Sequence, residues 1–256
     1  VALIQLCVAL VLLLAVDAVA GIDQPRREIR FAVAALFPPF QSRDPQGKLV
    51  GMHIELGNAL CQQLNVRCTW IDQVLVENFD DLDARKFDAI MGIASTPQRR
   101  RRVSFTDNLY PFTTRLVAHR ASGLMPTTKS LKGKRVGVLL GSNREAFALS
   151  QWAREGVIIR SFWLNDELVR SLVAGHIDAT LQGPVEIRNV LLDTAAGADF
   201  DFLGPAVSAE LLGDGIAIAL RNTDTALRTE LNRALEQLKH NGEYQRILAP
   251  YRLDPQ

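Results

Sequence analysis

The sequence predicts an α/β fold of two similarly built lobes on largely parallel sheets, and two observations carry that reading. Short apolar runs of strand type alternate with segments whose apolar residues recur at helical spacing. One plan also occurs twice, in Leu82-Asp-Ala-Arg-Lys-Phe-Asp-Ala-Ile90 and in Leu172-Val-Ala-Gly-His-Ile-Asp-Ala-Thr180. Each copy reads as a helix end, a tight turn and a strand that opens on Asp-Ala. No low-complexity linker divides the copies, so a chain that crosses between lobes more than once fits as well as two units in series. With 256 residues, 48% of them hydrophobic, the chain can bury cores of this size.

The elements follow in order. Ala2 to Val16 is almost unbroken apolar sequence, and Ala18-Val19-Ala20 places small residues where a signal peptidase reads, so residues 1–20 are expected to be a signal peptide cleaved after Ala20. The apolar run is shorter than the roughly 20 residues that span a bilayer. Gly21 offers no lipid-anchor thiol, so the expected location is the periplasm, in soluble form. A strand at Ile29 to Ala35 runs into the turns Phe37-Pro-Pro-Phe40 and Asp44-Pro-Gln-Gly47. From His53 to Leu64, Ile54, Leu56, Ala59, Leu60 and Leu64 keep helical spacing. Further strands are expected at Cys68–Ile71, Ala89–Ile93, Val136–Leu140, Val157–Phe162, Ala179–Leu181 and Ile216–Leu220. A last helix, Thr225 to Lys239, sets Leu227, Leu231, Leu235 and Leu238 on one face and stops at Asn241-Gly242.

Loss of the leader removes Cys7 and leaves Cys61 and Cys68, an even pair in an oxidising compartment. A bridge would staple the helix to the next strand; two buried free thiols are the alternative. His53, His119, His176 and His240 are scattered without ligand spacing, so neither a metal nor a cofactor is expected. Charge is nearly balanced, with 29 Lys+Arg against 28 Asp+Glu, yet Arg99 to Arg102 form an unbroken basic run. No aromatic stripe accompanies it, which argues against nucleic acid. Thr96-Pro-Gln-Arg99 reads as a helix start, with Ser95 or Thr96 as N-cap and Pro97 in the first turn, where free amides favour an anion.

A set of short motifs then resembles a known family. They are Pro39-Phe40, Gly47-Lys-Leu-Val-Gly51, the Cys61/Cys68 pair, Phe87-Asp-Ala-Ile-Met91, Thr96-Pro-Gln-Arg99, Phe105-Thr-Asp107, Leu131-Lys-Gly-Lys-Arg-Val-Gly-Val138, Gly175-His-Ile-Asp-Ala179 and Asn241-Gly-Glu-Tyr244. In this order and spacing, from Glu28 to Leu253, they resemble the periplasmic solute-binding proteins for polar amino acids that serve ATP-driven (ABC) importers, among them the histidine, lysine/arginine/ornithine and opine binders. The resemblance implies a two-lobed, type II periplasmic-binding-protein fold with discontinuous lobes joined by two hinge strands. Lobe 1 would be residues 21–110 plus 213–256, and lobe 2 residues 111–212. It also implies a monomer that captures a small ligand in the cleft, closes on it and presents it to a membrane permease, with no chemistry done on the ligand.

Residue by residue, the resemblance puts the carboxylate-binding arginine at Arg99, with Arg100, Arg101 and Arg102 facing water. Phe37 and Met52 match positions that sandwich the ligand's side chain, and Gly92 and Ala94 match positions that touch its backbone groups. In the second lobe Leu139 to Arg144 is a strand-to-helix turn, with Asn143 and Arg144 at positions that reach the carboxylate end. Two departures matter. Family members hold the ligand's ammonium with an aspartate where this chain has Gly183, and the first-lobe acid of cationic binders is here Ala34. An unpaired buried ammonium costs several kcal/mol. An opine-like, N-substituted or acidic ligand therefore suits the charges better than a basic amino acid, unless Glu186 replaces the aspartate.

Gly183-Pro-Val-Glu-Ile-Arg188 also resembles a segment of secreted cyclohexadienyl dehydratase, which would make Glu186 a catalytic acid. A sensory protein that presents its ligand to a receptor is the third reading. The main expectation is a binding protein without catalytic residues.

Overall fold

The computed structural model describes residues 28–213, 215–251 and 253. The expected signal peptide and its cleavage site at Ala20 lie outside the described residues. Along the chain, strand β1 (Glu28–Val33) leads through the short hairpin β2 (Ser42–Arg43) and β3 (Leu49–Val50) to helix α1 (Met52–Gln63) and strand β4 (Arg67–Asp72). Helix α2 (Asn78–Asp83), β5 (Ala89–Ala94), the single turn α3 (Pro97–Arg100), β6 (Ser104–Phe105) and β7 (Tyr110–Pro111) follow. The chain then builds β8 (Arg115–His119), α4 (Thr128–Leu131), β9 (Arg135–Leu139), α5 (Asn143–Phe147), β10 (Ile158–Phe162) and α6 (Asn165–Val173). After β11 (Ala179–Gln182), α7 (Pro184–Ile187) and β12 (Phe200–Phe202), it returns as β13 (Gly215–Leu220), α8 (Thr225–His240) and α9 (Glu243–Leu248).

The strands form two main sheets. One runs β4-β1-β5-β13-β6, with β7 paired to β13; the other runs β10-β9-β11-β8-β12. Each sheet carries its own buried clusters on its two faces. The parallel expectation holds for β1 with β4 and β5, and for β9 with β10 and β11. It fails where the chain changes lobe. β8 is antiparallel to β11, and β13 is antiparallel to β5, because each enters its sheet from the opposite lobe rather than through a helical crossover.

The repeated Asp-Ala plan has a physical basis. Asp88, just before β5, accepts hydrogen bonds from Arg30 N, Nε and Nη2, which ties the turn to the neighbouring strand β1. Asp178, just before β11, does the same with Arg135 N, Nε and Nη2 on β9. The Arg135 guanidinium holds the Asp178 carboxyl below its ordinary range. A carboxylate that satisfies one strand-end amide and one guanidinium fixes the register of two strands at once.

Helix α1 buries Ile54, Leu56, Ala59 and Leu60, and α8 buries Leu227, Leu231, Leu235 and Leu238 against the same core. Each such leucine contributes roughly 2 kcal/mol. Cys61 and Cys68 are joined in a disulfide, with Cα atoms 5.8 Å apart, so the end of α1 is stapled to β4 as expected.

Candidate functional site

A cavity of about 600 Å³ lies between the two sheets, walled by the strand ends and loops of both lobes. Arg99 enters it from α3. Thr96 caps that turn, its Oγ1 accepting from Arg99 N at 3.2 Å, and Pro97 occupies the position where a missing N–H is harmless. The guanidinium donates from Nη1 to the Ala94 carbonyl (3.0 Å) and from Nη2 to the Gly141 carbonyl (3.2 Å), and lies 5.6 Å from the Phe79 ring. Burial lowers its pKa to about 10, which leaves it charged at neutral pH. Among the described residues no carboxylate pairs with it. A desolvated cation held only by neutral groups is ready to accept an anion through two parallel hydrogen bonds.

The other three arginines of the run diverge from it. Arg100 and Arg101 are exposed, and Arg102 bridges Asp80 and Asp83 on the outer surface.

From the second lobe, Ser142 caps α5, its Oγ accepting from Glu145 N. That places Asn143 and Arg144 at the cavity wall. Asn143 Nδ2 donates to the Leu212 carbonyl. Arg144 Nη2 donates to Glu186 Oε1 at 2.8 Å, with both side chains about nine-tenths buried, and its guanidinium stacks 4.8 Å from the Phe112 ring. Its charge is thus answered inside the protein.

Glu186 Oε1 also accepts from Gly183 N at 3.0 Å, closing the first turn of α7. A Cβ added at Gly183 would lie 2.2 Å from Glu186 Oε2. The carboxylate of residue 186 therefore occupies the space that a side chain at 183 would need. Glu186 is the one carboxylate among the described lining residues, which also include Arg99, Arg115, Arg144 and Arg188.

The remaining expected positions divide. Phe37, Gly92, Ala94 and Gly183 line the cavity. Met52 does not: it is 0% exposed, packed in the first-lobe core at the start of α1, and the helix turns it away from the cleft. Leu75, from a short turn after β4, lines the cavity together with Phe37. Leu139 ends β9 at 8% exposure and is also absent from the lining, where Ser142 takes its place.

Sequence reasoning also missed three buried polar residues at the first-lobe floor. Gln41 Oε1 meets His53 Nδ1 at 2.6 Å, and His53 Nε2 meets Tyr110 Oη at 2.6 Å. All three line the cavity, with exposures of 6%, 2% and 6%. Burial lowers the His53 pKa to about 3, so the ring is neutral, and burial raises that of Tyr110 well above its ordinary value. Phe40, His53 and Tyr110 stack at centroid distances of 5.3 to 5.8 Å. Gly92 belongs to this arrangement, because its φ is +72° and a Cβ there would lie 2.1 Å from the His53 ring. The only available signal was a histidine inside an apolar helical pattern.

The profile of the bacterial extracellular solute-binding proteins, family 3, matches residues 29–254. The histidine-binding periplasmic protein of Salmonella typhimurium is 38% identical over 250 residues, 96% of each chain. The lysine/arginine/ornithine-binding periplasmic protein of Escherichia coli is 37% identical over 225 residues, 87% of this chain and 86% of that protein. An ancestral arginine-binding protein solved with arginine superposes with a TM-score of 0.81 at 27% identity, covering 89% of this chain and 99% of that one. These relatives are binding proteins, not enzymes, and carry no support for the dehydratase alternative. With its two-lobed architecture and interlobe cavity, the chain belongs to the family 3 bacterial extracellular solute-binding proteins.

Proposed function

We propose that this protein captures a small carboxylate-bearing solute, an amino acid or amino-acid derivative, in the interlobe cleft and delivers it to the membrane permease of an ABC importer. The observation that carries the reading is Arg99, a half-buried, charged guanidinium without a carboxylate partner among the described residues, standing where the two lobes meet. The similarity to histidine- and lysine/arginine/ornithine-binding proteins supports the amino-acid class. The protein acts as an exported monomer, its leader cleaved after Ala20, with lobe 1 as residues 21–110 plus 213–256 and lobe 2 as residues 111–212. It performs no catalysis. Glu186 accepts from both Arg144 and the Gly183 amide, an arrangement suited to a carboxylate rather than to a proton donor.

The ligand's carboxylate sits on Arg99. Phe37, Gly92 and Ala94 bound it from the first lobe, and Asn143, Arg144, Gly183 and Glu186 from the second. Among the described lining residues, four arginines against one glutamate favour a net anionic ligand, with a masked amine or an additional carboxylate. A second reading has its own observation. The Glu186 carboxylate fills the space above Gly183, so it supplies an acid for a free α-ammonium at the place where the family carries an aspartate.

Isothermal calorimetry with amino acids, opine-type N-(1-carboxyalkyl) amino acids and dicarboxylates separates the two. A preference for the masked or dicarboxylate ligands supports the first reading. Tight binding of free amino acids that is lost in Glu186→Gln supports the second. No binding of any carboxylate would refute both.

A further inference from the structure

The three polar side chains at the cavity floor come from three separate places: the loop after β1, the first turn of α1, and β7 at the lobe boundary. Nothing in a carboxylate clamp requires them. Burying an amide, an imidazole and a phenol together is costly unless each is satisfied, and these satisfy one another only in part.

With Gln41 presenting Oε1, the neutral ring carries its proton on Nδ1 and donates it to the amide. Its Nε2 then accepts, and the Tyr110 hydroxyl donates to it. The chain of bonds uses one end of each terminal residue. The Gln41 amino group finds no acceptor among the described residues, and the Tyr110 oxygen keeps its lone pairs. Both residues are more than nine-tenths buried, and both line the cavity.

The floor also lies at ligand scale from Arg99. Ala94, whose carbonyl holds Arg99, and Tyr110 both pair with Ile216 on β13. Two strand spacings separate them, about 10 Å. A small amino acid held by its carboxylate at Arg99 can therefore reach the floor with its far end. Among the described residues the first lobe brings no carboxylate to the floor, position 34 at the cavity wall being alanine, and Glu186, whose charge reaches Tyr110 from the second lobe, is already paired with Arg144.

We propose that Gln41, His53 and Tyr110 are the specificity-determining floor of the cleft, and that they select a ligand whose far end is uncharged and polar, accepting a hydrogen bond from Gln41 and donating one to Tyr110, as a carboxamide or a neutral azole does. A cationic end would meet an amide, a neutral imidazole and a phenol, with the nearby Glu186 charge already answered by Arg144. His53 holds the two contacts in register, and glycine at position 92 makes room for its ring. The proposal rests on the reading of Arg99 as the carboxylate anchor.

The test uses the whole mature protein and four probes: glutamine and lysine, each as the free amino acid and as its N-(1-carboxyethyl) derivative. Calorimetry compares the amide with the amine inside each pair, so the result does not depend on which amine the cleft accepts. The expected result is at least tenfold tighter binding of the glutamine member. Tyr110→Phe keeps the ring stack and removes only the oxygen, and Gln41→Leu removes the amide. Each should weaken the glutamine member about tenfold and leave the lysine member nearly unchanged. Circular dichroism and thermal melts establish that the variants are folded.

Lysine binding equal to or tighter than glutamine, with both lost in Arg99→Ala, overturns the floor and leaves the anchor standing. Equal weakening of both members by Tyr110→Phe also overturns it, since a merely structural role would act on both alike. Binding that survives Arg99→Ala, or the failure of all four probes, overturns the carboxylate reading and the floor with it.

Discussion

Arg99, in the first lobe, donates through Nη2 to the carbonyl of Gly141, in the second, at 3.2 Å. One guanidinium thus spans the cleft and belongs to both walls. Gly141 is also approached by Val76 from the first lobe, whose Cγ1 would lie 2.6 Å from a Cβ at that position. The lobes therefore meet through an arginine and through close packing on a glycine that carries a positive φ of 76°.

Replacement of Arg99 by alanine removes both the anion's partner and the bridge to Gly141. Ligand affinity should fall by roughly 2–5 kcal/mol, about 30-fold to several thousandfold. The melting temperature without ligand should change little, because no carboxylate among the described residues would lose its partner. Arg101→Ala, on the exposed side of the same run, should be silent within about 0.5 kcal/mol. Calorimetry on the two variants side by side decides whether the run contains one functional arginine.

The space above Gly183 gives a paired prediction. Gly183→Asp alone should destabilise the second lobe by about 1–3 kcal/mol, because the new Cβ meets the Glu186 carboxylate and two acids then share one site. Adding Glu186→Ala should recover part of that loss, since the new carboxylate is free to pair with Arg144. Urea denaturation of the two single variants and the double variant measures the coupling. Strict additivity would show that residues 183 and 186 do not compete for space.

Removing one member of the buried Arg144–Glu186 pair should cost more than removing both. Arg144→Ala leaves a buried carboxylate without its cation and should destabilise by roughly 3–5 kcal/mol. Arg144→Met with Glu186→Leu, which replaces charge by apolar volume, should cost clearly less. Equal losses in thermal or urea unfolding would contradict the internal pairing.

His53 makes stability fall in acid. Its folded pKa is lowered to about 3 from an ordinary 6.5, so between those values the unfolded chain binds more protons than the folded one. The stabilisation is complete above pH 6.5 and is lost as pH drops below it, by about 2 kcal/mol at pH 5. His53→Gln, which cannot titrate, should flatten the decline between pH 7 and pH 5 by that amount. Urea titrations at the two pH values supply the comparison.

Reduction of the Cys61–Cys68 bridge reopens a short loop between α1 and β4. The chain-entropy estimate for a loop of this length is about 2–3 kcal/mol. Cys61→Ala/Cys68→Ala should melt earlier than the oxidised protein while binding the same ligand, because the bridge lies outside the cleft.

Most of the framework was readable because burial imposes a period on sequence. α1, α8 and the strands that begin with Asp-Ala all fall within a residue or two of their expected limits. β8 was not readable. Arg115 and His119 bracket three buried apolar residues, too few to display a period. Arg99 was singled out of four arginines by the family resemblance, while Thr96 and Pro97 showed only where α3 begins. Met52 was misplaced because neighbouring residues on a helix differ by about 100° in direction. His53, one step on, faces the cleft and Met52 faces the core. Leu75 sits in a single short turn with no pattern around it. The chain Gln41–His53–Tyr110 joins residues from three elements, and no local regularity in sequence records an encounter made only by tertiary folding.

The position of β13 bears on the order in which this protein can assemble. The sheet of the second lobe, β8 to β12, draws all of its strands from one continuous stretch, residues 115–202. The sheet of the first lobe has a gap between β5 and β6 that only residues 215–220 can fill. A chain synthesised N-terminus first must therefore hold β1, β4 and β5 unfinished while the later-emerging lobe closes on local contacts. During that interval Ile90 and Ile93 on the open side of β5 lack their cover, and a premature stop anywhere before residue 215 would leave that side permanently uncovered. The part of the protein made first is the last to become native.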